Sequence, residues 1–371
     1  MTQLFDSVYD LHRSRLELLP QLDRPKLGFS SIYMPEELLY AAGIAPFRLT
    51  GETRTVSSEA SSILSNNFCS YILSCFSEGL DEVYSFADGH VFLDTCDMRK
   101  RLYEVWQKHV GGQFYHLLEL PKDTKPASFS YYRFQLKRLL GDLEEHYGVT
   151  IDEEALRGAI RLCNESRRLL RTASRMRNEG ILPIQSMQLL ELVKAGSAGM
   201  KEEFNRRLSA ALREYEGVEA PASPNGCKVL ISGSYFDNPS ILEVIERTGA
   251  RIVCEDLSTG FNYFAGEINE DAEDPLSAIA DYYLGKAVSA RMIDADRRAA
   301  HIRDLVEEHE IDAVLYVSLK FCDTNLMDYP YIRHSLAQQG IPVLFIESEQ
   351  HMTNIQSIRT RIQTFFETRI S

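Results

Sequence analysis

Two of the seven cysteines in this chain lie just past the ends of predicted strands. Cys96 follows the apolar segment VFL (91–93) and precedes a predicted helix, and Cys322 follows the predicted strand 313–317 in the segment SLKFCD. Ligands bind at the carboxyl ends of strands in open parallel sheets, and the first turn of a helix favours a thiolate. Both cysteines are therefore candidates for a metal or redox role. The alternative is a small buried side chain, which is the common role of a free cysteine.

A third cysteine, Cys69, lies on or beside the helical stretch that precedes the strand leading to Cys96. Two facing α/β modules would bring Cys69, Cys96 and Cys322 into one cleft. Three thiolates with an open fourth position suit a 4Fe–4S cluster with an open iron, or a catalytic zinc. Sequence spacing does not separate these two metals, and three unrelated cysteines remain a further alternative.

The remaining composition excludes several other classes of protein. An odd number of cysteines without a C-x-x-C pair supports neither a disulfide framework nor a zinc ribbon, and Cys163 lies on an apolar helix face typical of a core. The net charge of −14 argues against a nucleic-acid partner. No apolar run approaches the ~18–20 residues of a membrane span, and no secretory signal is recognisable, so a cytoplasmic protein without a membrane partner is expected.

The pattern of strands and helices predicts an α/β fold of two Rossmann-like or flavodoxin-like domains with parallel sheets, plus a helical segment. Residues 1–27 are predicted to form one N-terminal helix, ended by two prolines. The first α/β domain is expected over 28–127, a helical region over 128–220, and the second α/β domain over 226–371, after a linker rich in Pro and Ala. The predicted strands are 45–49, 91–93 and 114–120 in the first domain and 228–232, 251–255, 313–317 and 342–346 in the second. Helices are predicted over 61–79, 239–248, 329–339 and 353–368.

Two further segments are weaker candidates for a site. Glu37 lies in the first turn of the helix predicted to begin at PEELL, where a carboxylate complements the helix dipole. From the sequence alone, this structural role is the better interpretation of Glu37. The loop SGSYFDNP (232–239) follows a strand and precedes a helix, so its N–H groups could bind a phosphate or carboxylate. The chain contains no P-loop, G-x-G-x-x-G or G-x-S-x-G motif.

Taken together, these segments resemble the 2-hydroxyacyl-CoA dehydratase family, which also contains subunits of ATP-dependent benzoyl-CoA reductase. The similar segments follow the family order along nearly the whole chain: PEELLYAAGIAPFRL (35–49), NFCSYILSC (67–75), LDTCD (93–97), NEGILP (178–183), VLISGS (229–234), EDLSTGFNYF (255–264), SLKFCD (318–323), IPVLFIE (341–347) and IRTRIQTF (358–365). An ordered set of this kind is far more specific than any one motif.

The resemblance implies one 4Fe–4S cluster held by Cys69, Cys96 and Cys322, and it makes Glu37 a candidate catalytic residue near an open iron. The chain also departs from the family pattern. Ser258 and Asn262 stand where a cysteine and a basic residue are expected, which weakens any inference about the substrate and argues against the larger double-cubane cluster.

The function implied is elimination of water from a 2-hydroxyacyl-CoA through a ketyl radical, after one-electron reduction by a separate ATP-dependent iron–sulfur activator protein. The expected partners are this activator, a homologous second subunit that makes a dimer, and an acyl-CoA substrate. The alternatives are a benzoyl-CoA (aroyl-CoA) reductase subunit, an electron-relay or structural cluster subunit without its own substrate, and a zinc or metal-free binding module.

Overall fold

A computed structural model describes residues 3–53, 55–220, 226–236, 239–286, 289–351 and 355–369. It contains two four-stranded sheets in which every pair of neighbouring strands is parallel. The first sheet has the order β2-β1-β3-β4 and the second the order β6-β5-β7-β8. The strands are β1 (Lys26–Phe29), β2 (Ala45–Arg48), β3 (Gly89–Leu93), β4 (Phe114–Leu118), β5 (Lys228–Gly233), β6 (Arg251–Asp256), β7 (Ala313–Leu319) and β8 (Val343–Ser348). The predicted α/β class with two parallel sheets is confirmed.

Helices connect the strands and fill the middle of the chain. The helices before β5 are α1 (Gln3–Arg13), α2 (Arg15–Leu18), α3 (Glu36–Ala41), α4 (Ser58–Ile63), α5 (Ser70–Leu80), α6 (Asp97–His109), α7 (Pro126–Tyr147), α8 (Glu153–Asn178), α9 (Ser186–Gly196) and α10 (Lys201–Arg213). Those after β5 are α11 (Pro239–Glu246), α12 (Phe261–Phe264), α13 (Pro275–Gly285), α14 (Ala295–His309), α15 (Asp323–Ala337) and α16 (Ile355–Arg369). Parts of the predicted linker (221–225), of the loop 232–239 (237–238) and of the helix 353–368 (353–354) lie outside the described residues.

The prediction of a single helix over residues 1–27 is wrong. The chain forms α1, the short α2 and a 3-10 turn (Leu19–Gln21), and then the strand β1, which pairs with both β2 and β3 inside the first sheet. The predicted domain boundary at residue 27 therefore cuts a central strand. Four residues are too few to show a periodicity, and burial between neighbouring elements decides their conformation. Gly28 allows this packing, because a Cβ there would lie 2.4 Å from Cδ2 of His90.

Two predicted helices have different bounds in the structure. The stretch 61–79 divides into α4 and α5, because a turn in which the Phe68 amide bonds the Ser65 carbonyl separates them. The helix expected over 329–339 begins earlier, at Asp323, and contains Pro330. Both differences place a cysteine immediately before a first helical residue, Cys69 before α5 and Cys322 before α15.

The helical middle of the chain (α7–α10) packs against two α/β units, the first built on the sheet β2-β1-β3-β4 and the second on the sheet β6-β5-β7-β8. The largest buried apolar cluster joins strand residues of the first sheet (Leu27, Val91) to α7 and α8, and to α12 and α13 of the second half of the chain. A second cluster joins Tyr71 and Trp106 of the first unit to Tyr235 of the second. The carboxyl ends of strands from both sheets therefore border a shared region.

We predict that Gly233→Ala destabilises the protein, because Gly233 has φ +141° and a Cβ there would lie 1.8 Å from the Val317 carbonyl oxygen of the neighbouring strand. Overpacking of this kind costs about 1–3 kcal/mol or more. Gly141→Ala, in the exposed middle of α7 with no atom near its Cβ position, is the matched control and should stabilise by up to about 1 kcal/mol. Thermal unfolding midpoints of the two variants test this, and equal midpoints would contradict it.

Candidate functional site

Cys69, Cys96 and Cys322 line one cavity of about 150 Å³ between the two units. Each is the N-cap residue of a helix, Cys69 of α5, Cys96 of α6 and Cys322 of α15. None of the three side chains forms a capping hydrogen bond. Three helix N-termini, with their partial positive charge and unpaired N–H groups, therefore converge on three thiols.

The topology explains why Cys96 and Cys322 meet. Each follows the third strand of its sheet, β3 or β7, and these strands hold the same place in two sheets of identical order. In both sheets the strand order reverses between the first and third strands, and ligands of open α/β sheets bind beside such a reversal. Cys69 reaches the same cavity from the helix that precedes β3.

The surroundings of the thiols are largely buried. The Cys69 amide donates a hydrogen bond to the Met98 sulfur at 3.3 Å, and the Asn325 side-chain amide donates to Cys322 Sγ at 3.2 Å. Burial, with a smaller contribution from the nearby Cys322 and Cys96, raises the pKa of Cys69 to about 12, and Arg99 acts in the opposite direction. The three thiols therefore share one largely buried environment.

The kind of metal group decides how its cysteine ligands must be arranged. Among the described residues, no group of three or more His, Cys, Asp or Glu side chains is arranged to hold a metal ion. Zinc binds each cysteine sulfur at about 2.3 Å, so its ligands must crowd around one point. In a 4Fe–4S cluster each cysteine binds a different iron, so its sulfurs stand further apart. A zinc ion and a 4Fe–4S cluster therefore require different arrangements of the three sulfurs.

A stack of four side chains crosses between the two units beside the cavity. The rings of Tyr71 and Tyr235 lie 3.9 Å apart, and both line the cavity. The Arg99 guanidinium lies 5.2 Å from the Tyr71 ring centroid on one side, and that of Arg48 lies 5.0 Å from the Tyr235 ring on the other. Arg48 also donates hydrogen bonds to the carbonyl and hydroxyl oxygens of Ser258.

Sequence reasoning assigned no role to any member of this stack. Tyr71, Arg99 and Tyr235 do lie within three positions of Cys69, Cys96 and the end of β5, respectively. Closeness to a cysteine or to a strand end was thus the available signal. Only the packing of the two sheets shows that these side chains meet.

Glu37 does not line the cysteine cavity. Its carboxylate is fully buried, forms an ion pair with Arg167 at 2.5 Å and accepts a hydrogen bond from the Tyr283 hydroxyl at 2.9 Å. Burial alone would raise the pKa of Glu37, but Arg167 and the hydrogen bonds hold it below its usual value. The adjacent Glu36 is paired in the same way, with Lys201 at 2.7 Å. The structure therefore brings the three cysteines together and places Glu37 in a separate buried ion-pair cluster.

Of the other sites raised by the sequence, the loop 232–239 contributes Tyr235 to the cavity, and the remaining positions lie outside it. Cys163 is buried on α8, as its apolar helix face predicted, and Cys75 is buried on α5 without lining the cavity. Asn262 donates a hydrogen bond to Asp256 at 2.8 Å. Asp256 is already paired with Arg298 at 2.8 Å, so this buried acid has its counter-charge without a base at position 262.

Comparison with known proteins identifies the family of this chain. The model of the family described as 2-hydroxyglutaryl-CoA dehydratase, D-component, matches residues 31–368. The chain belongs to this family. The resemblance stated from its motifs is confirmed. Within the described ranges, no helix is long and apolar enough to cross a membrane.

Several relatives match over most of their length. A benzoyl-CoA reductase subunit of Thauera aromatica is 25% identical over 351 residues, covering 92% of this chain and 90% of that protein. The (R)-phenyllactyl-CoA dehydratase beta subunit of Clostridium sporogenes is 24% identical, covering 94% and 93%. The (R)-2-hydroxyglutaryl-CoA dehydratase beta subunit of Acidaminococcus fermentans is 24% identical, covering 92% and 91%. These relatives are subunits of enzymes that act on CoA thioesters, as their names state.

We predict that Glu37→Gln lowers the free energy of unfolding at pH 7 by about 3–5 kcal/mol, because it leaves Arg167 buried without its counter-charge. The depressed pKa of Glu37 stabilises the wild type above the ordinary value of 4.5, and this contribution is lost as the pH falls through the folded value. The difference between wild type and variant should therefore shrink below pH 4.5. Denaturant unfolding across this range measures it.

The control for this prediction is Glu179→Gln, which removes a partly exposed carboxylate from its pair with Arg175 at the end of the helix that carries Arg167. It should change stability by less than about 1 kcal/mol at any pH. Equal effects of the two substitutions would show that the buried pair contributes no more than a surface pair.

Proposed function

We propose that this chain is the iron–sulfur subunit of a cytoplasmic 2-hydroxyacyl-CoA dehydratase, which eliminates water from a 2-hydroxyacyl-CoA through a ketyl radical. A separate ATP-dependent iron–sulfur activator would supply one electron to start the reaction. The electron is recovered after water has left, so the overall elimination is redox neutral. The observation that carries the proposal is the single cavity lined by Cys69, Cys96 and Cys322, each at a helix N-terminus, in a chain of this family.

The residues around the cavity fit a 4Fe–4S cluster bound by three cysteines. When bound, such a cluster supplies one-electron transfer and, at an iron without a protein ligand, a Lewis acid for a substrate oxygen. Cys69, Cys96 and Cys322 would be its ligands, and the helix N-termini would stabilise their thiolates. The Asn325 amide, which donates to Cys322 Sγ, would hold this ligand in place and lower its basicity.

A second candidate function is supported by the similarity to the benzoyl-CoA reductase subunit of Thauera aromatica. On this alternative, the same cavity serves an enzyme that reduces an aromatic CoA thioester. A third candidate is an electron-relay or structural subunit without its own substrate. The cavity of about 150 Å³ supports it, because binding sites for small molecules usually occupy about 300–1,000 Å³.

The proposal includes a homologous second subunit, since the relatives are named as subunits of larger enzymes. It also includes the catalytic role of Glu37, which stays a prediction. Because Glu37 is buried in an ion pair outside the cavity, its catalytic role needs a test that separates activity from stability. Glu37→Gln must reduce turnover per bound cluster by more than its loss of folded protein accounts for.

We predict that Cys69→Ala, Cys96→Ala and Cys322→Ala each lower the iron content of anaerobically purified protein and bleach its absorption near 400 nm. Each substitution removes one of three ligands from the same cavity. The measurements are iron analysis and visible spectroscopy of protein reconstituted under anaerobic conditions.

Cys163→Ala is the control, because Cys163 is buried in the helical core away from the cavity. It should keep full iron content and the visible band. Loss of the cluster in this variant, or its retention without Cys322, would refute the ligand assignment. If the wild-type protein is colourless and binds zinc, the cavity holds a single metal ion and not a cluster.

The substrate class is decided by an anaerobic assay of the complex with activator and ATP against a panel of 2-hydroxyacyl-CoA and aroyl-CoA thioesters. Turnover of a 2-hydroxyacyl-CoA to the corresponding enoyl-CoA supports the dehydratase. Reduction of an aroyl-CoA supports the second candidate. The relay role is supported by a different result. In that case this subunit binds neither class of thioester, and the partner subunit of the complex binds the substrate.

A further inference from the structure

Arg99 is a buried cation that faces the three thiols. It lies on α6, three residues after Cys96, and is only 3% exposed. Its side chain lines the same cavity as Cys69, Cys96 and Cys322. Nothing in the proposed ligand set uses it.

Among the described residues, no ion pair joins Arg99 to a carboxylate, and the two acids that line the same cavity, Asp97 and Asp323, are exposed to solvent. Its partners are neutral, the Ser30 carbonyl oxygen and the face of the Tyr71 ring. In the helical core, by contrast, the buried Arg167 is paired with Glu37 at 2.5 Å. A buried charge without a counter-charge costs several kcal/mol, so Arg99 requires negative charge from another source.

Arg48, at the other end of the stack, is also buried and bonds the neutral oxygens of Ser258. It does not line the cysteine cavity. Of these two arginines, Arg99 is therefore the one that can act directly on the thiols.

The thiols of the cavity can provide the missing negative charge. Deprotonated cysteines bound to a 4Fe–4S cluster make the whole group anionic, and reduction by one electron adds a further negative charge. A fixed cation beside such a group stabilises the reduced form more than the oxidised form. Net charge and hydrogen bonds around a cluster are among the factors that set its reduction potential.

We propose that Arg99 is an electrostatic positioning residue that retains the cluster and raises its reduction potential, so that a one-electron donor can reduce it. This inference rests on the proposed function, because it requires a cluster on the three cysteines. Arg99 acts through its charge and is not itself a ligand.

The position of the guanidinium is fixed by its neighbours. It donates to the Ser30 carbonyl beyond the end of β1 and lies over the Tyr71 ring, which also packs against Tyr235. The Tyr71 hydroxyl donates to the Leu49 carbonyl at 2.8 Å, which holds the ring in place. A lysine carries the same charge but lacks the planar group that stacks and donates in this geometry. Lysine should therefore replace arginine only in part.

The test compares Arg99→Met with Arg101→Met in the cluster-loaded protein complex. Arg101 lies on the same helix, and its side chain is 49% exposed and paired with Glu104, so both substitutions remove one positive charge from α6. We expect Arg99→Met to shift the reduction equilibrium at least tenfold towards the oxidised form, which is about 59 mV more negative for one electron. Arg101→Met should leave the midpoint unchanged, and Arg99→Lys should lie between. Redox titration followed by electron paramagnetic resonance measures all three.

Other outcomes also decide the proposal. Equal midpoints for Arg99→Met and Arg101→Met would overturn it. Arg99→Met could also lose its iron. In that case, a role of the charge is supported if Arg99→Lys keeps its normal iron content and the Arg99→Met apoprotein keeps a native circular dichroism spectrum. Loss of iron in both Arg99 variants would instead show that the side chain is only structural. A wild-type protein without any cluster would refute the proposed function and leave no potential to tune, which separates the two failures.

Discussion

The site depends on the way the helical middle of the chain holds two parallel sheets so that strand ends from both meet at one cavity. α12 and α13 come from the second half of the chain, yet they pack in the core that contains α7, α8 and the first sheet. The two units therefore share one buried apolar core. The Tyr71 and Tyr235 rings then meet at 3.9 Å across the junction, and the cysteines of the two sheets border the same space.

The interior contains two polar regions, and buried charges are paired with opposite charges in only one of them. In the helical core, Glu36 is paired with Lys201 and Glu37 with Arg167, so each buried charge has a partner of opposite sign. At the cysteine cavity, Arg99 has only neutral partners among the described residues. Balanced pairs can stabilise a fold without any ligand. An unbalanced cation makes stability depend on an anionic group, as expected of a binding site.

The sequence predicted the second sheet closely, because its strands are apolar runs bounded by turn residues and followed by helices. It missed β1, since a strand of four residues that follows Pro25 and contains Gly28 shows no periodicity. It also missed the break before Cys69, which a local turn creates. The three cysteines could be identified because each lies in a short sequence motif beside the predicted end of a strand or helix. The Arg167 partner of Glu37 could not, because it lies 130 residues away and reaches Glu37 only through tertiary packing.

The cap positions of the helices show what the cavity costs in stability. In the second unit, the helix before the third strand is α14, and its cap residue Asp294 accepts a hydrogen bond from the Arg297 amide at 2.9 Å. The corresponding helix in the first unit is α5, whose cap residue is Cys69 and forms no such bond. An Asp or Ser cap contributes about 1 kcal/mol over a residue that cannot cap. The chain forgoes this contribution at Cys69, and again at Cys96 and Cys322, so that its three uncapped helix ends are directed at the three thiols.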